Sequence, residues 1–251
     1  EGFHMIPVRP NWNDDSDLIG FVDSMHMVYR PSDTGFINTL MEACQERNKN
    51  KLYLICFDEM NLARVEHYFS QFLSILEMPE KSRILRLYSS EYESRLYNSD
   101  KYKQTVEIGN NIRFIGTVNI DESTFHFSDK VLDRANVIKL DIVPYTDWKT
   151  GEVSTKASYF KEWTYQKWVR LPKDNILLDQ EREFIWRVHE LLNSCGKNLG
   201  VGPRILKQIA KYLVNLPSSD NKENISRREG FDIQFVQRIM TKIRGQKEQL
   251  Y

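Results

Sequence analysis

Apolar positions in the first 140 residues come in short runs whose period changes from run to run. Phe3–Val8 has the spacing of a short strand, and the stretch after it, "RPNWNDDSDLIG", is punctuated by Asn, Asp, Ser and Pro as a loop would be. Beyond Gly35 the spacing becomes helical in "FINTLMEACQERN". "KLYLICF" is then a near-continuous apolar run of the kind found in strands covered on both faces. Asn61 stands where it would cap a following helix, in which Leu62, Val65, Phe69, Phe72, Leu73 and Leu76 form one apolar stripe. The order is strand, helix, strand, helix.

The alternation continues with less regularity. "SRILRLYSSEYESRLYNSDKYKQTVEIGNN" mixes short alternating runs with polar breaks and reads as a surface hairpin or insertion. "IRFIGTVN" is another buried strand with a polar end, "STFHFSDKVLDRAN" suits a helix, and "VIKLDIV" a further strand. Together these predict an α/β core with parallel strands over residues 1–143. After Pro144 long helical patterns replace the strands, so residues 144–251 are expected to be an all-α domain. Its helices are expected in "YFKEWTYQKWVRL", "DQEREFIWRVHELLNSC", "GPRILKQIAKYLVNL" and "FDIQFVQRIMTKIRG", with "PSSDNKENISRRE" as a solvated link.

Charge narrows the function classes. Lys and Arg number 35 and Asp and Glu 35, so no global field draws this chain to nucleic acid or to an acidic membrane surface. Cys44, Cys56 and Cys195 lack paired spacing and read as reduced core residues of a cytoplasmic protein. No apolar stretch has the length to cross a bilayer, and no signal segment opens the chain, so no membrane partner is expected. The start, "EGFHMIPVRP", enters directly with an apolar run and reads as a chain beginning mid-fold. The five histidines show no ligand pairing that would suit zinc. Asp141, Asp147 and Lys149 give only a loose metal-nuclease pattern.

The candidate chemistry sits at strand ends. "LYLICFDE" closes a buried strand with two adjacent carboxylates, Asp58 and Glu59, where isolated charges are costly. Asn119 ends the strand "IRFIGTVN". In open α/β sheets, ligands bind beyond the carboxyl ends of the strands. A hydrated magnesium ion on phosphates would neutralise Asp58, since Mg²⁺ keeps several waters and takes one or two carboxylates. Glu59 would then polarise a water for in-line attack, and Asn119 would hold that water or sense the terminal phosphate. The plainer alternative is a strand end followed by a helix-capping acid.

"VRPNWNDDSDLIGF", "LICFDEMNLARVEHYFSQFLSILE", "IRFIGTVNIDESTFHFSDKVLDRA", "VGPRILKQIAKYL" and "FDIQFVQRIMTKIRG" together resemble the AAA+ NTPase module of McrB-like proteins. That group is related to the GTPase motor subunit of the McrBC modification-dependent restriction system. The resemblance implies a P-loop-type parallel sheet core followed by a helical lid. It makes "LICFDE" the Walker B strand, with Asp58 for Mg²⁺ and Glu59 as the catalytic carboxylate, and puts Asn119 at the sensor-1 position. Arg134, in "VLDRA", matches the place of an arginine finger that reaches a neighbouring subunit's nucleotide, and Arg204, in "GPR", resembles the sensor-2 arginine. Both would stabilise phosphate charge through planar donors. Each also fits an ordinary surface partner of nearby acids. The implied cofactors are Mg²⁺ and ATP or GTP. The implied partners are further copies in a ring, a nuclease subunit, and DNA bound through domains outside this chain.

Two features depart from that pattern. The phosphate-cradling G-x-x-x-x-G-K-[ST] does not occur, and the one Gly-Lys pair, Gly196 and Lys197, is followed by Asn198. In the family that loop precedes the strand at Phe3, so these residues are expected to hydrolyse little by themselves. Where the GTPase carries an Asn and an Asp three apart, this chain reads "NIDE": Asp121 comes one residue early and Glu122 takes the expected place. The choice of base stays open. The missing loop also motivates a second expectation, a hydrolysis-inactive AAA+-like scaffold or interaction module.

Overall fold

The computed structural model describes residues 2–119, 124–140, 177–195, 200–217 and 224–243. They divide into two compact units, Glu1–Val131 and Leu132–Tyr251, and each is described by itself. Several expectations lie outside the described residues: the helix over 159–171 with Phe160, Trp163 and Trp168, the Asp141, Asp147 and Lys149 pattern, Asp121 and Glu122, and Gly196 to Asn198. The expected boundary between 143 and 144 falls there too.

The first unit contains β1 (Phe3–Pro7), β2 (Phe21–Asp23), β3 (Val28–Arg30), β4 (Tyr53–Asp58), β5 (Ile84–Arg86), β6 (Thr105–Glu107) and β7 (Ile112–Gly116). Its helices are α1 (Ser16–Ile19), α2 (Phe36–Ala43), α3 (Val65–Tyr68), α4 (Ser70–Ile75) and, across its end, α5 (Asp129–Leu132). The fold is α/β, with a three-stranded parallel sheet in the order β1, β4, β7. Pairing runs Phe3 to Leu54 and Pro7 to Asp58 on one side of β4, and Tyr53 to Ile112 and Phe57 to Gly116 on the other. The strand that ends in the carboxylates is therefore the middle one. The surface hairpin expected near residue 84 is present as β5 and β6, paired antiparallel.

Period-2 alternation sorts the sheet residues onto two faces. Ile6, Ile55, Phe57 and Phe114 look toward the helices, where they meet Phe36, Phe69 and Phe72. The rings of Phe57 and Phe69 pack edge to face at 5.3 Å and those of Phe69 and Phe72 stack at 4.8 Å. Each buried aromatic ring of this cluster contributes on the order of 2 kcal/mol. The opposite face is less covered than the apolar run of β4 led one to expect. Phe3 and Met5, in register with Leu54 and Cys56, are more than half exposed, and Ile115 nearly so.

Three local expectations change. The stripe from Leu62 to Leu76 breaks into a short turn, α3 and α4, because Phe69 departs from helical backbone at φ −108° and ψ 16°. Of the helix expected over 123–136, the described residues keep only α5. The strand expected in "VIKLDIV" is not formed by residues 137–140: no sheet partner takes the Val137 N–H, which goes instead to Gln237 O at 3.4 Å.

The second unit holds α6 (Asp179–Cys195), α7 (Pro203–Val214) and α8 (Arg227–Arg238). Ile185, Ile205, Ile209, Leu213 and Phe231 form its core. In α7, Ile205, Ile209 and Leu213 recur every fourth residue, which places them on one face. A capping box starts α8, with Ser226 and Glu229 each bonded to the other's backbone N–H. The helix thus begins within the stretch read as a solvated link. Arg227 then grips Glu181 with two hydrogen bonds of 2.9 Å, tying α8 to α6. No described helix is long and apolar enough to cross a membrane.

Candidate functional site

The carboxyl end of β4 turns sharply. Asp58 is its last residue, and Glu59 takes φ 50° and ψ 50°, a left-handed conformation rare for a residue with a side chain. Such a conformation persists only where the surroundings over-determine it. Here the Glu59 N–H donates to Thr117 Oγ1 at 2.8 Å, the Met60 N–H to Thr117 O at 2.8 Å, and the Leu62 N–H back to Glu59 O at 2.9 Å. The buried Tyr68 hydroxyl donates to Met60 O at 2.9 Å. Burial pushes the Tyr68 hydroxyl well above the ordinary tyrosine range, with the charge of Glu66 adding to it. It stays a protonated donor throughout the neutral range.

Thr117 is the residue that couples the two strand ends. Its hydroxyl donates to Asp58 Oδ1 at 2.7 Å while accepting from Glu59 N–H, so one group orients one carboxylate and fixes the backbone of the next. Asn119 Nδ2 donates to Glu59 Oε1 at 3.2 Å. Three of the residues singled out from sequence, Asp58, Glu59 and Asn119, are thereby brought together at one edge of the sheet. Glu59, Thr117 and Asn119 are exposed and Asp58 half-buried, so the cluster faces solvent. Gly116 permits the crossing, because a Cβ there would lie 2.4 Å from Met60 Sδ and 3.1 Å from its Cβ.

Asn61 has a different task from the one expected of it. Its side chain caps no helix: Nδ2 donates to Asn119 O at 2.8 Å and Phe125 O at 3.2 Å, and its own carbonyl accepts from the Phe125 N–H at 2.9 Å. Asn61 is 2% exposed, and its Oδ1 has no hydrogen-bond partner among the described residues. It latches the chain after β7 onto the turn after β4. The Arg64 guanidinium stands over the Phe125 ring at 5.2 Å, on the exposed side of the same latch.

Neither Thr117 nor Asn61 was assigned a role in the site from sequence. A signal for Thr117 exists: aligning "YLICFD" with "IRFIGT" end to end sets a hydroxyl opposite Asp58. Asn61 offered none, since a buried Asn after a strand and a helix cap read alike.

Arg134 and Arg204 belong to the second unit. Arg134 is half-buried just after α5, and Arg204 is exposed as the second residue of α7.

Among the described residues no group of three or more His, Cys, Asp and Glu side chains could hold a metal ion. The donor set at Asp58 does suit Mg²⁺ with phosphates supplying further ligands. Thr117 donates to Asp58 Oδ1, and a magnesium ion takes only one or two carboxylates in such sites. Beneath it, burial and the charge of Asp58 together push the Cys56 thiol up.

A family model described as "Domain of unknown function (DUF8727)" matches residues 152–251. The match takes in Arg204 and lies outside the unit that holds the carboxylates. No curated protein matches the chain, and no solved structure does.

Proposed function

We propose that this chain is part of an AAA+ NTPase motor of the McrB-like kind, hydrolysing ATP or GTP and acting with DNA and a partner nuclease. The observation that carries the reading is the placement of Asp58 and Glu59 at the carboxyl end of the middle parallel strand, with Asn119, three residues past the end of β7, bonded to Glu59. That is where an open α/β sheet binds its ligand. In this reading Asp58 contacts Mg²⁺, whose contribution is to neutralise phosphate charge. Glu59 accepts the proton of the attacking water, and Asn119 positions that carboxylate through its amide. Thr117 orients Asp58. Arg134 serves the nucleotide of a neighbouring subunit in a ring, and Arg204 serves that of its own.

The reading requires a G-x-x-x-x-G-K-[ST] segment, which the 251 residues do not contain, to be supplied upstream of Glu1. The same observation favours a second reading, an AAA+-like scaffold that binds partners and hydrolyses nothing. An upstream reading frame with the loop supports the motor, and one without it supports the scaffold. In the protein that carries the loop, Glu59→Gln is expected to abolish turnover while leaving nucleotide affinity within about twofold, because the amide keeps the size and loses the base. Undiminished turnover by that variant removes Glu59 from the chemistry.

A further inference from the structure

Arg238, the last residue of α8, is a cation held largely by neutral oxygens. Its Nε donates to Gln234 Oε1 at 2.6 Å, and its Nη1 donates to Gln208 Oε1 at 2.6 Å and Ala135 O at 3.3 Å. Among the described residues no carboxylate pairs with it. Partial burial draws its pKa down to about 10, so it remains charged at neutral pH without the carboxylate partner such a cation usually has. An apolar residue of similar length would avoid that cost if packing were all the site needed. What a guanidinium adds is a fixed fork of donors able to bind three segments at once.

The three segments are α7 through Gln208, α8 through Gln234, and the stretch just after Arg134 through Ala135. The fork is one end of a longer network. Gln234 is fully buried, and its Nε2 donates to Asn136 Oδ1 at 3.2 Å and Gln237 Oε1 at 3.0 Å. Asn136 Nδ2 donates to Gln237 Oε1 at 2.8 Å, and the Val137 N–H reaches Gln237 O. Residues 135–137 make no regular structure of their own, yet each of the three is bonded to α8.

We infer that Arg238 is a positioning residue for Arg134: its guanidinium clamps the segment after Arg134 to α7 and α8, so that Arg134 keeps a fixed place in the helical unit. Whether the arginine so placed serves a neighbouring nucleotide rests on the function proposed above. The clamp itself does not, and the two are tested apart.

The first arm uses the 251-residue chain and backbone ¹⁵N relaxation. In the unaltered chain the amides of residues 134–137 are expected to show order parameters near the rigid value of about 0.85. In Arg238→Met they are expected to fall below about 0.6, with those of α7 and α8 unchanged. Asn136→Ala, an exposed change that spares the fold, cuts the other end of the network and is expected to loosen the same four amides. Unchanged order parameters in both variants overturn the clamp. So does equal loosening of α7 and α8, which would make Arg238 a packing residue.

The second arm uses the nucleotide-hydrolysing protein that includes the phosphate loop. Arg238→Met is expected to lower kcat with KM little changed, and to cause no further loss when added to Arg134→Ala. Losses that multiply overturn the link to Arg134. Absence of turnover in the unaltered protein overturns the function proposed above, and the order parameters then decide the clamp by themselves.

Discussion

At the scale of single residues, Glu59 is where stability and chemistry pull apart. A left-handed backbone costs a side-chain-bearing residue about 1–2 kcal/mol, and the hydrogen bonds from Glu59 N–H and Met60 N–H to Thr117 hold it there. Glu59→Gly removes that cost and is expected to raise stability by about 1 kcal/mol in urea unfolding, whereas Glu59→Ala keeps the strain and gains nothing. A glycine variant no more stable than the alanine variant would show that the turn is unstrained. The identity of Asp58, Glu59 and Asn119 as site candidates was legible in the sequence, because polar residues closing apolar runs stand out. The conformation that joins them was not, since it depends on Thr117 and Glu59 meeting just past the ends of two strands, 58 residues apart in the chain.

At the scale of elements, β2 and β3 form a hairpin in the stretch between the loop read over residues 9–20 and the helix expected beyond Gly35, to which the sequence pattern assigns no element, paired from Phe21 opposite Arg30 to Asp23 opposite Val28. Three-residue strands are too short for alternation to register. The turn is set by Asp23, which accepts from Arg30 Nε at 2.7 Å, His26 Nδ1 at 2.8 Å, and the backbone N–H groups of Met25 and His26 at 3.1 Å. The Arg30 guanidinium, followed by the bonds from His26, holds the Asp23 carboxyl well below the usual carboxylate range. The folded chain therefore keeps this carboxylate charged where the unfolded chain has already taken up a proton, and stability rises with pH across that interval. The advantage of the natural chain over Asp23→Asn is expected to be full above about pH 5 and to shrink as pH falls below about 4. Urea midpoints of the two proteins measured from pH 7 to pH 3 give that difference directly. A gap that widens on acidification contradicts it. Other elements read well: the long α6 falls where its apolar spacing put it. In contrast α8 begins four residues ahead of Phe231, because its capping box, Ser226 with Glu229, sits in a polar stretch whose composition reads as a link.

At the scale of the whole molecule, the change from strands to helices was plain in the sequence. The compact helical unit, however, begins at Leu132, ahead of the change in pattern near Pro144. Hydrogen bonds between α8 and residues 135–137 join that stretch to the helices, and bonds from side chains distant in sequence leave no periodic mark. The parallel sheet carries the carboxylates and the helical unit carries Arg134 and Arg204; in the proposed motor, Arg134 serves the nucleotide of a neighbouring subunit. The most direct measurement is magnesium-dependent hydrolysis of ATP and GTP by the protein that includes the phosphate loop, with Arg134→Ala and unaltered subunits mixed in varying ratio. Activity is expected to fall faster than the mutant fraction rises, as a shared active site requires. A decline in simple proportion to that fraction, or no turnover of either nucleotide, contradicts the motor.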